Sequence, residues 1–85
     1  MKQLTPFGKE LRKLRIDHSM SLQLLGEKIN ISTAHLSAME RGDRNVVFGI
    51  FKRISKVFKL KESEKVKLME LANKSNNYKL YEMPF

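Results

Sequence analysis

One short stretch near the middle of the chain, residues 21–42, constrains the fold more than any other feature. It contains two short amphipathic segments, and each begins after a serine, Ser21 or Ser32. Serine is favoured at helix N-termini, and a glycine such as Gly42 commonly ends a helix in the left-handed conformation. Asn30 lies between the segments and tolerates that conformation better than any residue except glycine. The stretch therefore predicts two short helices joined by a tight turn.

Apolar spacing and start signals predict three further helices, so we expect an all-α fold of five helices. Their limits are near residues 5–18, 21–30, 32–42, 47–59 and 62–73. The fourth helix carries a wide apolar face of Val47, Ile50, Phe51, Ile54, Val57 and Phe58. The fifth is expected to bury Val66, Met69, Leu71 and Ala72. Gly26 inside the second helix predicts a close approach of another backbone, because glycine is unfavourable there otherwise.

Length and composition describe one small domain without a disulfide framework. The chain has 85 residues, of which 41% are hydrophobic, and no cysteine. No apolar run is long enough to span a membrane, and the N-terminus lacks the apolar core of a signal peptide. We therefore expect a cytoplasmic protein without membrane association.

The positive charge is concentrated in one part of the chain. The net charge is +8, and residues 1–61 hold 13 Lys or Arg against 5 Asp or Glu, whereas residues 62–85 hold 4 against 4. A basic surface of this kind is typical of nucleic-acid binding. Solubility or attraction to anionic lipids would explain the charge alone equally well.

The third helix has an unusual outer face. Leu36 and Met39 are expected to face the core, which leaves small residues on the opposite side: Thr33, Ala34, Ser37 and Ala38. A face exposed only to solvent usually carries Lys and Glu. A face of small residues permits close approach to base edges, although such a helix pair can also serve protein contact.

The sequence resembles the lambda-repressor-like, Cro-type helix-turn-helix family of regulators (the XRE family) over residues 8 to about 72. The resemblance rests on three segments: Gly8, Leu11, Arg12, Leu14 and Arg15; Met20, Ser21 and Leu22; and Ile31 and Ser32 followed by Leu36, Ser37, Met39, Glu40, Arg41 and Gly42. It implies a five-helix domain that inserts its third helix into the major groove of double-stranded DNA.

The resemblance also implies roles for individual residues. Thr33, Ala34, Ser37 and Ala38 would read base edges. The DNA backbone would be contacted by Ser21, Gln23, Ser32, His35, Arg41, Arg44 and Asn45. Arg15 and Glu40 match a structural salt bridge of the family. The chain departs from the family pattern at Gly26, at Asn30 and in the loop 43–48, which is more apolar than in most relatives.

Catalytic and ligand-binding patterns are not evident. His18 and His35 have no third ligand at metal-binding spacing, and Glu62 and Glu64 are explained by a first helical turn. We expect no enzyme activity, no metal, no cofactor and no small-molecule ligand. The basic face with Lys52, Arg53 and Lys56 is interpreted as solvated, with a second DNA contact as the alternative.

We divide the chain into a DNA-binding domain, residues 1–75, and a C-terminal tail, residues 76–85. The tail is rich in apolar residues: Tyr78, Leu80, Tyr81, Met83 and Phe85. An apolar tail exposed to water is unfavourable and promotes aggregation, so it either folds back on its own core or packs on a second subunit. We favour a dimerisation segment, because a single module rarely gathers enough contact for specific binding.

These features together predict a homodimeric, sequence-specific repressor that reads an inverted repeat. Autoregulation of a phage, mobile-element or toxin–antitoxin operon would suit so small a chain, which would associate with the nucleoid through DNA. The alternative is a protein-interaction module, such as an antitoxin that binds a partner protein through its tail.

Overall fold

The computed structural model describes residues 4–76, which form five α-helices and contain no strand. The helices are α1 (Pro6–Asp17), α2 (Leu22–Ile29), α3 (Thr33–Arg41), α4 (Phe48–Val57) and α5 (Glu62–Ser75). The all-α, five-helix fold expected from the sequence is thus confirmed. The predicted dimerisation residues, from Tyr78 to Phe85, lie outside the described residues.

The first three helices begin at side-chain caps. The Oγ atoms of Thr5, Ser21 and Ser32 each accept a hydrogen bond, at 3.0 Å, from the backbone N–H three residues later. Each bond satisfies one of the amides that a helix start leaves without an intrahelical partner. Asn30 (φ 60°) and Gly42 (φ 83°) end α2 and α3 in the left-handed conformation. The turn chemistry predicted from the sequence is confirmed at these positions.

The core draws on all five helices. Its innermost side chains are Phe7, Leu11, Leu25, Ile29, Leu36, Met39, Val46, Ile54 and Leu68. In α4 the prediction was wrong for Val47, which is 36% exposed, because it precedes the first helical residue and the helical spacing does not apply to it.

The buried side of α5 also differs from the prediction. Val66 is 52% exposed, whereas Leu68, which the prediction did not include, is buried; Ala72 is buried as predicted. The reason is that α5 packs against α1, where Lys67 Nζ lies 3.8 Å from Glu10 Oε1 and Phe7 N donates to Ser75 Oγ. This contact turns the Leu68 side of α5 inward and extends the helix to Ser75.

Two glycines permit close approaches between backbone segments. A Cβ at Gly26 would lie 2.8 Å from the carbonyl oxygen of Ile31, which confirms the close approach predicted at this residue. A Cβ at Gly8 would overlap the backbone of Glu40. These contacts fix α3 from both ends, since Ile31 precedes α3 and Glu40 lies in its last turn.

Candidate nucleic-acid interface

Helix α3 has one buried and one outer face. Leu36 and Met39 are fully buried in the core. Thr33 and Ala34 are exposed, and Ser37 and Ala38, one turn later, are partly exposed. Residues four apart lie on the same side of a helix, so these four small side chains form one continuous surface, which we call the α3 surface.

The N-terminal ends of α2 and α3 present capped serines at the molecular surface. Ser21 and Ser32 are both exposed, and each holds the first turn of its helix by a hydrogen bond. The first amides of a helix carry a partial positive charge, which attracts phosphate. Gln23 in the first turn of α2 is exposed, and His35 in the first turn of α3 is partly exposed.

The turn between α2 and α3 is fixed by hydrogen bonds to its backbone. Ile31 N donates to Gly26 O at 2.9 Å, and Arg53 Nη1 donates to Ile29 O at 3.0 Å. Sequence analysis placed Arg53 on a solvated face and missed this contact. A cation is favoured at helix C-termini, but only the packing of α4 against α2 brings Arg53 there.

A buried ion pair holds the last turn of α3 against α1. Arg15 Nε lies 3.2 Å from Glu40 Oε2, and the two side chains are 12% and 6% exposed. The backbone carbonyl of Glu40 accepts hydrogen bonds from Thr5 N at 3.0 Å and from Thr5 Oγ1 at 3.2 Å. The pair that the family resemblance implied is therefore present, and its surroundings give it a structural role.

Arg41 is already engaged by neighbouring side chains. Its Nε lies 3.3 Å from Asp43 Oδ2, and its Nη1 donates to Ser37 Oγ. Because Ser37 accepts this bond, its own hydroxyl hydrogen remains available to an acceptor on a base edge. The partly exposed ion pair with Asp43 is weak, so it can yield to a phosphate.

The loop after α3 folds back on its last turn. The backbone amides of Asp43 and Arg44 both donate to Ala38 O, at 2.8 and 3.4 Å. The Arg44 side chain is exposed, and no side-chain partner for it is found within residues 4–76. These bonds bring the backbone of Arg44 to Ala38, at the edge of the α3 surface, and the next residue, Asn45, is partly exposed.

The apolar character of this loop has a structural cause. Val46 is 1% exposed, and both of its backbone groups are bound by the side chain of Asn76. Val46 N donates to Asn76 Oδ1 and Asn76 Nδ2 donates to Val46 O, each at 2.9 Å. Sequence analysis missed this pair, which joins residues far apart in the chain.

Neither a metal cluster nor a membrane-spanning helix occurs in the part of the chain that the structure describes. Residues 4–76 contain no group of three His, Asp or Glu side chains placed to hold a metal ion. None of the described helices is long and apolar enough to cross a membrane.

Comparison with known protein families gives a match to the family model described as helix-turn-helix, over residues 11–65. No match was found among curated proteins or among solved structures. The matched residues include α2, the turn and α3, together with the loop that carries Arg44. The match covers more than half of the chain and agrees with the five-helix architecture. The chain thus belongs to the lambda-repressor-like (XRE) helix-turn-helix family of DNA-binding regulators.

Proposed function

We propose that this protein is a homodimeric, sequence-specific repressor that reads an inverted repeat in double-stranded DNA. The observation that carries the proposal is the α3 surface. It is exposed, free of long side chains at its centre, and held in place by a buried ion pair and two close backbone approaches. A rigid helix with a small outer face can enter the major groove without displacing its own side chains.

The residues around α3 divide into two roles. Thr33, Ala34, Ser37 and Ala38 would contact base edges, with hydroxyl groups for polar atoms and methyl groups for thymine. The backbone contacts would come from the surrounding ring: Ser21, Gln23, Ser32, His35, Arg41, Arg44 and Asn45. Phosphate contacts fix register, whereas base contacts carry the sequence preference.

Two copies would place their α3 helices in successive major grooves, about 34 Å apart, on one side of the duplex. Repression needs only that the dimer occupies a promoter and excludes polymerase, so the proposal requires no further activity. An operon of a phage, a mobile element or a toxin–antitoxin pair, controlled by its own product, is the regulatory setting we propose.

The test is selection of bound duplexes from a random DNA library at near-physiological salt. We expect enrichment of an inverted repeat whose half-sites are one helical turn apart. Ala34→Glu puts a carboxylate on the α3 surface and should abolish enrichment. Ser63→Glu is the matched control, because it adds the same charge at an exposed residue of α5. Failure of the folded wild-type protein to enrich any sequence would contradict the proposal.

A further inference from the structure

Helices α4 and α5 and the turn between them form an open groove of about 670 Å³, and no residue of α3 lines it. Its apolar side chains come from both helices and the turn: Phe48, Phe51, Leu60, Val66 and Met69. Val66 is 52% exposed, which is unusual for a valine beside so many apolar neighbours. Phe51 and Leu60 are buried, whereas Phe48 and Met69 are partly exposed along the groove. A groove of this size and composition is suited to binding several side chains of another segment.

The charge around the groove limits what can occupy it. Four lysines line it together with a single acidic residue, Glu62: Lys52, Lys56, Lys59 and Lys65. Two copies packed groove against groove would bring two such lysine sets together, and like charges repel in that arrangement. The occupant is therefore expected to be apolar and without an excess of positive charge.

The chain itself contains a segment of this character. Residues 77–85 hold Tyr78, Leu80, Tyr81, Met83 and Phe85, with one lysine and one glutamate. Asn76 is held by its two hydrogen bonds to Val46, two residues before α4, so the start of the segment lies near the Phe48 end of the groove. Nine residues reach up to ~30 Å, which is comparable with the 32 × 31 × 20 Å domain. The segment is thus long enough to reach a neighbouring copy.

The floor of the groove contains a polar group without a partner. Ser55 lines the groove and is 5% exposed, and its Oγ makes no hydrogen bond within residues 4–76. A buried hydroxyl without a partner is costly, and most such groups in folded proteins are satisfied. Because the Oγ atom is shielded from solvent, a peptide segment in the groove could bond to it only after the side chains above it move apart.

We propose that the α4–α5 groove binds residues 77–85 of a second copy of this chain, so that two tails and two grooves form a closed, two-fold dimer. The inference rests on the dimeric state in the proposed function and names the surface that would produce it. A two-fold arrangement uses the same contact twice, so each subunit needs one tail and one groove.

The experiment uses two full-length variants that damage opposite sides of the contact. Val66→Lys adds a cation inside the groove at an exposed residue, so the fold is expected to remain intact. Tyr81→Ser/Met83→Ser/Phe85→Ser removes apolar groups from the tail and leaves residues 4–76 unchanged. The matched control is Ile16→Lys, with the same charge change at a residue of α1 that is 66% exposed and does not line the groove.

We expect each damaged variant alone to raise the dimer dissociation constant at least tenfold in sedimentation, and Ile16→Lys to leave it unchanged. A mixture of the two damaged variants should form a heterodimer, because the intact tail of one enters the intact groove of the other. A triple-serine variant that stays dimeric, or a mixture that stays monomeric, would overturn the proposal.

A monomeric wild-type protein whose melting temperature falls with the triple-serine change would show that the tail occupies its own groove instead. Selection of bound duplexes from the random DNA library distinguishes failure of this dimer contact from failure of DNA binding. Enrichment of a single half-site by a monomer would refute the dimer contact and leave sequence-specific DNA recognition standing.

Discussion

The α3 surface and the α4–α5 groove are both bordered by cations, yet they differ in what lies between those cations. On the α3 surface, Arg41 and Arg44 border small, polar or methyl-bearing side chains. In the groove, lysines border phenylalanine, methionine and an exposed valine. The net charge of +8 is therefore shared by surfaces of different chemistry. The groups between the cations, rather than the charge itself, indicate the partner.

The two regions also differ in how completely their contacts are satisfied. The backbone carbonyl and the carboxylate of Glu40 are both bound, and Gly8 packs directly against its backbone. In the groove the Ser55 hydroxyl has no partner among residues 4–76. A rigid surface suits repeated reading of one DNA shape, whereas the groove leaves one buried hydroxyl unsatisfied among the described residues. Four predictions test this difference.

The largest effect is expected where the support of the α3 surface is removed. Arg15→Met leaves the Glu40 carboxylate buried without its partner, and should lower the free energy of unfolding by about 3–5 kcal/mol. The matched control is Arg15→Met/Glu40→Leu, which removes both charges and should recover most of the loss. Urea denaturation measures both. If the double variant is no more stable than the single one, the ion pair is not what supports α3.

A smaller effect is expected from the centre of the α3 surface. Thr33→Ala should weaken binding to the selected operator by about 1–3 kcal/mol and leave binding to unrelated duplexes unchanged. Ser63→Ala removes a hydroxyl from the first turn of α5, also exposed, and serves as the control. Fluorescence anisotropy with both duplexes measures the difference. An equal loss of affinity for every duplex would indicate that Thr33 contacts the DNA backbone rather than base edges.

The third prediction compares one cation from each region. Arg44→Ala should weaken binding to all duplexes alike and reduce the slope of log affinity against log salt by about 1, because one phosphate contact is lost. Lys59→Ala should leave that slope unchanged if the groove does not contact DNA. A titration from low to moderate salt gives both slopes. Equal slopes for the two variants would contradict the separation of the two surfaces.

The smallest effect is expected from the floor of the groove. Ser55→Ala removes a buried hydroxyl without a partner and favours the helix, so the monomer should gain up to about 1 kcal/mol in unfolding free energy. If the tail of a second copy supplies a hydrogen bond there, the same change should weaken the dimer. Denaturation at low and high protein concentration separates the two effects. A destabilised monomer would indicate that the hydroxyl is already satisfied.

Local signals made much of the fold predictable from the sequence. The caps at Thr5, Ser21 and Ser32 and the left-handed residues Asn30 and Gly42 depend on neighbours within a few positions. The amphipathic pattern then located the outer face of α3, because Leu36 and Met39 leave only one side exposed. Assignment of bases and phosphates to particular side chains of the site remains a prediction from the family resemblance.

Contacts between distant segments could not be predicted in this way. Leu68 rather than Val66 is buried because α5 packs against α1, and the apolar spacing of α5 allows either side to face inward. The bond from Arg53 to Ile29 and the Asn76–Val46 pair depend on the same kind of long-range placement. The groove itself arises only when α4 and α5 meet, so neither helix alone indicates it.

The bonds between Thr5 and Glu40 have a consequence for the motions of the domain. A helix of nine residues would be marginal alone, and its ends would fray. Here the last turn of α3 can open only if the start of α1 is released as well. Its amide hydrogens should therefore exchange with solvent at the rate of global unfolding, alongside those of the core. Helix α3 would then be ordered before it contacts any DNA site. The entropy lost in ordering it would lower the stability of the fold rather than the affinity for DNA.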